Sequence, residues 1–317
     1  MAPTILVVGA TGNTGRGVVK TLSEIVDAGN NPFLSSHRII ALTRSANGVE
    51  AQKLAALPHI EVVEHDWIDI TAEWLRQNNV ARAFIASPAQ PSQFSEESKF
   101  LVAALHAGVE YVVRISTMAP NVRPDCIAYY PRTHWAIESM LSSPEFAKLQ
   151  WTSLQPNVFA AMWLYSAVEY VKEFRRTGAN AGPLGTMASE ETPVGIVNPF
   201  EVGVFAAHLL ASEDVSPHHK AKYVVNGPKD ITGREVVALV EAEIGAKVGD
   251  VVFEDTSLAE YVAAQTPGSK SVILSIKHAM EVAWEGKCMA STTSKEVIQI
   301  AAPKVTPAEV FKAMLEG

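Results

Sequence analysis

Cysteine is scarce. Cys126 and Cys288 are the two in 317 residues, too few for a disulfide framework and in keeping with a reducing compartment. Long apolar runs are missing too. The longest, Ile5–Ala10 and Val202–Ala211, fall well short of the roughly 20 residues that a bilayer-spanning helix needs. Positive charge is in deficit, 26 Lys+Arg against 34 Asp+Glu, and basic residues gather only in short pairs such as Arg175-Arg176. A net charge of −8 without a basic cluster excludes nucleic acid as a principal expected partner. No Cys or acid stands at ligand spacing around His218-His219, so no metal site is expected. Met1-Ala2-Pro3 enters an apolar run directly, without the basic flank and long apolar segment of a secretory signal. These absences predict a cytoplasmic protein, monomer or homodimer, whose partner is a small molecule and neither membrane nor nucleic acid.

What is present is the composition of a globular protein, 48% hydrophobic and 19% charged, long enough for a sizeable core. Short β-rich runs occur at Thr4–Val8, Arg38–Leu42, Ile60–Val63, Ala81–Ala86, Tyr111–Ile115 and Trp151–Gln155, with a seventh at Lys222–Val225. Helix-like segments lie between the first six: Gly15–Ala28, Glu50–Ala56, Ala72–Gln77, Glu96–Ala107 and Thr133–Leu141. Apolar strands alternating with helices predict an α/β fold, a doubly wound parallel sheet covered on both faces. After residues 180–193, rich in Gly, Pro, Ser and Thr and read as a loop, the pattern changes. Thr232 and Glu235 have the spacing of a capping box, and Leu258–Ala264 and Pro307–Leu315 read as helices. The expected organisation is a nucleotide-binding unit, residues 1–156 and 196–228. A smaller mixed α/β cap, residues 157–195 and 229–317, forms the other wall of a cleft.

The strongest signal is Gly9-Ala10-Thr11-Gly12-Asn13-Thr14-Gly15, placed between the first strand and the first helix. Gly9 permits a tight reversal, Gly12 lets backbone approach a pyrophosphate, and Gly15 lets the helix pack close. The helix start then offers free N–H groups to phosphates. The end of the second strand reads Thr43-Arg44-Ser45, with no acid before Glu50. A carboxylate there would suit a free ribose 2′-hydroxyl; Arg44 suits a 2′-phosphate, so NADP(H) is the expected cofactor. Arg16 is a second cation able to approach that phosphate. The alternative for Arg44 is a solvated loop side chain.

With these residues in place, the chain resembles the NmrA-like branch of the atypical short-chain dehydrogenase/reductase superfamily over nearly its whole length. The glycine turn, Arg44, His65-Asp66-Trp67, Trp151 to Phe159, and Val225-Asn226-Gly227-Pro228 with Ile231-Thr232 carry the resemblance in order. It implies a Rossmann-type sheet, NADP(H) or NAD(H) binding, and a substrate pocket between sheet and cap. By that analogy Asp66 contacts the adenine amino group, with helix capping as the alternative. Ser87 and Pro88 line the central ribose, and Asn157 and Phe159 border the nicotinamide.

Ordinary short-chain reductases carry a Ser after the fifth strand and Tyr-x-x-x-Lys on the next helix. Here Ser116 follows that strand and Tyr130 has the spacing, but His134 stands where Lys is expected. Pro131 places Tyr130 just before the helix. A neutral imidazole is a poorer electrostatic partner for a phenol than an ammonium. Three outcomes stay open: carbonyl reduction with His134 as proton donor, reduction of an activated C=C or imine driven mainly by the hydride donor, or lost catalysis. The leading expectation is therefore an NADPH-dependent oxidoreductase acting on a small hydrophobic molecule, possible in secondary metabolism. The alternatives are a non-catalytic dinucleotide sensor that regulates a protein partner, as some NmrA-like proteins do, and an isomerase on the same fold.

Overall fold

The computed structural model describes residues 2–178 and 182–316; Asn180 and Ala181, at the start of the expected loop, lie outside the described residues. The strands are β1 (Thr4–Val8), β2 (Arg38–Thr43), β3 (Ile60–Glu64), β4 (Val80–Ile85), β5 (Tyr111–Ile115), β6 (Gln150–Pro156), β7 (Leu184–Gly185), β8 (Ala221–Val225) and β9 (Val251–Val252). Seven of them form one sheet in the order β3-β2-β1-β4-β5-β6-β8, every pair parallel. The α/β expectation and all seven strand positions hold within a residue or two.

The alternation along β1 shows why the sheet is buried on both sides. Ile5 and Val7 enter one apolar cluster with Val18, Leu22, Phe205 and Leu209. Leu6 and Val8 enter another with Phe100, Leu101, Ile137 and Trp151. A strand with period-2 side chains needs both sets apolar only when helices cover both faces. The helices Gly15–Asp27 and Pro199–Ala211 serve the first face, and Gln93–Ala107 and Tyr129–Leu141 the second. The apolar run Val202–Ala211 is thus part of a helix inside the core. Pro199 sits in its first turn and the Asn198 side chain accepts from the Phe200 amide.

A third cluster, with Trp163, Leu164, Val236, Val240, Met280 and Phe311, forms the cap. The Thr232/Glu235 capping box is present. The short parallel pair β7–β9 and the helix Tyr165–Thr177 belong to this part. The helix Lys295–Ala301 returns to the sheet, where Val297 joins the cluster around Phe205. No described helix is long and apolar enough to cross a membrane.

Candidate functional site

The chain runs outward from β1 to β3 and then returns across β1 to β4. The strand order reverses between β1 and β4, and ligands of open α/β sheets bind at the carboxyl ends of the strands at such a switch. A cavity of about 330 Å³ opens there. Gly9, Thr11, Gly12, Asn13, Thr14, Gly15, Arg44, Ser87, Pro88 and Phe159, all singled out from sequence, line it.

The glycines fit a backbone cradle. Gly9 has φ +77, and a Cβ on Gly15 would collide with the Gly9 carbonyl. The helix Gly15–Asp27 has no acid in its first turn and no side-chain cap from Thr14. Among the described residues no backbone acceptor pairs with the amides of Asn13, Thr14 and Gly15. Donors and the positive end of a helix dipole are therefore left for an anion. Arg44 is exposed in the wall, with no acidic partner among the described residues. Arg16 is committed elsewhere: its Nη1 pairs with Glu50 at 3.0 Å, and Lys53 holds the other oxygen of that carboxylate.

Two residues assigned to the cofactor by resemblance take different places. Asp66 is exposed and caps the short helix Trp67–Asp69 through the Ile68 amide at 3.1 Å, the capping alternative. Its neighbours His65 and Trp67 line the cavity instead. His65 stacks on Trp74 with centroids 5.3 Å apart, and its buried Nε2 has no hydrogen-bond partner among the described residues. Asn157 spends its amide on the scaffold. It donates to the carbonyls of Gly195 (3.0 Å) and Cys288 (2.8 Å) and to Asn226 Oδ1 (3.0 Å), and accepts from the Val158 amide. That pins the end of β6 to the cap. The signal for its role was Asn226 beside β8, since two buried amides at adjacent strand ends satisfy each other.

Of the three expected catalytic residues, the structure brings two together. Tyr130 and His134 meet edge-on, ring centroids 6.3 Å apart. The helix starts at Tyr129, so Tyr130 lies inside it and not just before it. Pro131 is accommodated because a first-turn amide has no intrahelical acceptor to lose. Tyr130 also lines an apolar pocket in the cap with Met162, Met187, Leu258, Val262 and Met280. Burial raises its phenol to about 12, against a smaller lowering by the hydrogen bond with Thr117. Ser116 is buried and its hydroxyl has no hydrogen-bond partner among the described residues; it belongs to neither the cleft lining nor the Tyr130 pocket.

His134 sits in a buried polar chain whose members come from separate elements of the fold. Arg114 Nη2 donates to its Nδ1 at 2.8 Å, Arg114 Nε reaches Glu97 Oε1 at 2.6 Å, and Arg114 Nη1 donates to Ser153 Oγ at 3.0 Å. Ser153 donates to Glu138 at 2.7 Å, and Lys222 pairs with Glu138 at 2.9 Å. Burial pushes Glu138 up, but Arg114, Lys222 and Ser153 together hold it below the usual carboxylate value. Burial, then the Arg114 charge, hold His134 well below 6.5.

That depression sets a sign for stability. The unfolded chain binds a proton at His134 near pH 6.5 and the folded chain does not. The contribution is fully present above pH 6.5 and falls away as pH drops below it. Between pH 7.5 and pH 5.5 the wild type should lose about 1.4 kcal/mol more unfolding free energy than His134→Gln. Urea denaturation at both pH values checks this; equal losses would mean the ring is accessible to protons.

Comparison with known proteins follows the same outline. An NAD(P)H azoreductase of Xenophilus azovorans is 27% identical over 244 residues, 77% of this chain and 75% of its own. The NADPH-dependent quinone oxidoreductase QOR2 of Escherichia coli, solved with NADPH, superposes with a TM-score of 0.71 at 21% identity, covering 98% of this chain and 99% of its own. The triphenylmethane reductase of Citrobacter sp., solved with NADP(H), gives 0.69 at 21% identity, covering 98% and 100%. Residues 1–302 match the NmrA-like family. Because that match runs through the sheet, the glycine turn and all of the cap except its final helix, the chain belongs to the NmrA-like family.

Proposed function

We propose that this protein is an NADPH-dependent oxidoreductase that reduces a small apolar, conjugated molecule held against Tyr130. The observation that carries the reading is a pair of unlike cavities linked through one short segment. Phe159 lines the glycine-walled cleft that also holds Arg44, and Met162, whose amide donates to the Phe159 carbonyl at 3.0 Å, lines an apolar pocket in the cap with Tyr130. Its relatives include an azoreductase, a quinone oxidoreductase and a triphenylmethane reductase, and azo, quinone and triphenylmethane groups are all extended conjugated systems.

The residues that would hold the cofactor are the Gly9–Gly15 turn for the phosphates, Arg44 for a 2′-phosphate, and Ser87, Pro88 and Phe159 further along the cleft. A dihydronicotinamide supplies a hydride, two electrons on one hydrogen. Tyr130, with its phenol near 12, stays protonated at neutral pH and offers a hydrogen bond from its hydroxyl. No lysine charge is among the influences on that phenol, and the neutral His134 does not replace one. A weak acid serves best where the acceptor itself spreads the incoming electron pair, as a conjugated acceptor does. Met162, Met187 and Met280 give the pocket adaptable apolar walls for a planar ligand.

Purified protein should oxidise NADPH in the presence of at least one acceptor from a panel of quinones, azo dyes, triarylmethane dyes and enones. NADPH binding without turnover across that panel would overturn the reductase reading. A cofactor-dependent change in affinity for a protein partner would then favour a dinucleotide sensor.

A further inference from the structure

We propose that Arg114 is a positioning residue that links the cofactor cleft to the Tyr130 pocket by fixing the direction of every hydrogen bond between Ser87 and His134. The proposal rests on the reading of the cleft as the cofactor site only at its Ser87 end. Ser87 lines the cleft. Its Oγ donates to Glu97 Oε2 at 2.5 Å and accepts from Gln93 Nε2 at 3.0 Å. Glu97 takes Arg114 Nε on its other oxygen. Arg114 then donates to His134 Nδ1, and the His134 ring meets the Tyr130 ring. Glu97, Arg114 and His134 are 1%, 0% and 5% exposed, so water does not compete along the chain.

Guanidinium has donors only, and an ionised carboxylate acceptors only. Those two facts orient both ends. His134 Nδ1 must offer a lone pair to Arg114, so the proton of the neutral ring is on Nε2. Ser87 has spent its proton on Glu97, so it shows the cleft a lone pair. The ligand group that meets Ser87 is therefore an O–H or N–H donor, such as a sugar hydroxyl or a carboxamide, and not a phosphate oxygen or a carbonyl.

Charge keeps the arrangement fixed. The groups facing His134 and its chain are Arg114 on β5, Glu97 on the helix Gln93–Ala107, Glu138 on its own helix, and Lys222 on β8; Tyr130, Ser153 and Gln155 complete the shell. Two cations balance two anions. A proton on His134 would add an uncompensated charge directly against Arg114. On this proposal the ring works as a fixed neutral hydrogen-bond donor and not as the proton donor that its sequence position suggested.

The test is long-range 1H–15N correlation NMR on full-length protein with labelled histidine, which reads tautomer and titration without turnover. The expected result is His134 in the Nε2–H form, unchanged from pH 6 to pH 8. Arg114→Lys keeps the charge but loses the fork that reaches three partners, and should give mixed tautomers. If that variant does not fold, Arg114→Gln, whose side-chain oxygen can accept from an Nδ1–H as readily as its amide can donate, should show the same mixing. A wild-type Nδ1–H form, a titration near pH 6.5, or an unaltered tautomer in the folded variant overturns the proposal. For the cleft end, NADPH titration of Ser87→Ala should show about five-fold weaker binding, with Ser87→Thr restoring it. No change in Ser87→Ala overturns that end. Absence of NADPH binding by the wild type fails the cofactor reading and leaves the NMR result standing.

Discussion

Arg44→Ala should weaken NADPH binding by roughly 10- to 100-fold and leave NADH binding nearly unchanged. The range follows from a charged hydrogen-bonded pair being worth about 1.5–3 kcal/mol, with the lower part appropriate to an exposed site. Arg44 stands in the cleft wall at the end of β2, where a dinucleotide fold presents its residue to the adenosine ribose. Arg16, the other cation near the turn, already faces Glu50 at 3.0 Å, so it is in no position to substitute without breaking that pair. Discrimination then falls on one guanidinium. Arg44→Lys should recover part of the affinity, because the charge survives and the bidentate fork does not. Since the group is exposed, the NADPH advantage should also shrink as salt rises. Fluorescence titrations with the four nicotinamide nucleotides, at low and high salt, measure all three effects. An equal loss for NADPH and NADH would show that Arg44 touches the shared part of the ligand or only supports the loop.

What the sequence made legible and what it hid divide along a physical line. Each strand of the sheet is local, five to seven residues long, and the central ones β1 and β2 are buried and apolar on both faces. The glycine turn is equally local, since its conformational demands fall on residues three apart. The helix Tyr165–Thr177 was missed because its charged residues fill the exposed face and leave a sparse apolar stripe, Ala167, Val168, Tyr170 and Val171. The Tyr130 boundary was missed because proline was read as a barrier when it sat in a first turn. The partners of His134 and Asn157 are different in kind. Glu97, Arg114 and Ser153 come from three elements, 17 and 39 residues from Arg114 to either side, and Asn157 meets Asn226 at a separation of 69. No spacing rule reaches that far. Motif analogy assigned both to a ligand, and the sheet register that pairs Pro156 with Val225 turned one of them toward its own backbone. The sheet register, then, decides which polar residues near a site remain free for chemistry.

Gly203→Ala shows how far that dependence on packing extends beyond the cleft. The helices Gly15–Asp27 and Pro199–Ala211 cross with glycine facing backbone on both sides. A Cβ on Gly203 would run into the Thr14 carbonyl and lie 2.8 Å from the Val18 amide nitrogen, and one on Gly17 would run into the Phe200 carbonyl. Neither obstacle is a flexible side chain, so the helices must separate. Overpacking of this kind costs about 1–3 kcal/mol, and a backbone obstacle argues for the upper end. The shift also reaches the site, because Thr14 immediately precedes the first helix and lines the cleft. Gly203→Ala should therefore lower unfolding free energy by about 3 kcal/mol and weaken NADPH binding together, although Gly203 does not itself line the cavity. Gly48→Ala is the control. Gly48 has φ −66, and an added Cβ would meet only the Ser45 carbonyl at 3.5 Å, an ordinary contact. That variant should stay within about 0.5 kcal/mol of wild type. Should Gly203→Ala match it in denaturant titrations, the two helices do not approach this closely, and the Gly9–Gly15 turn is held by its own backbone alone.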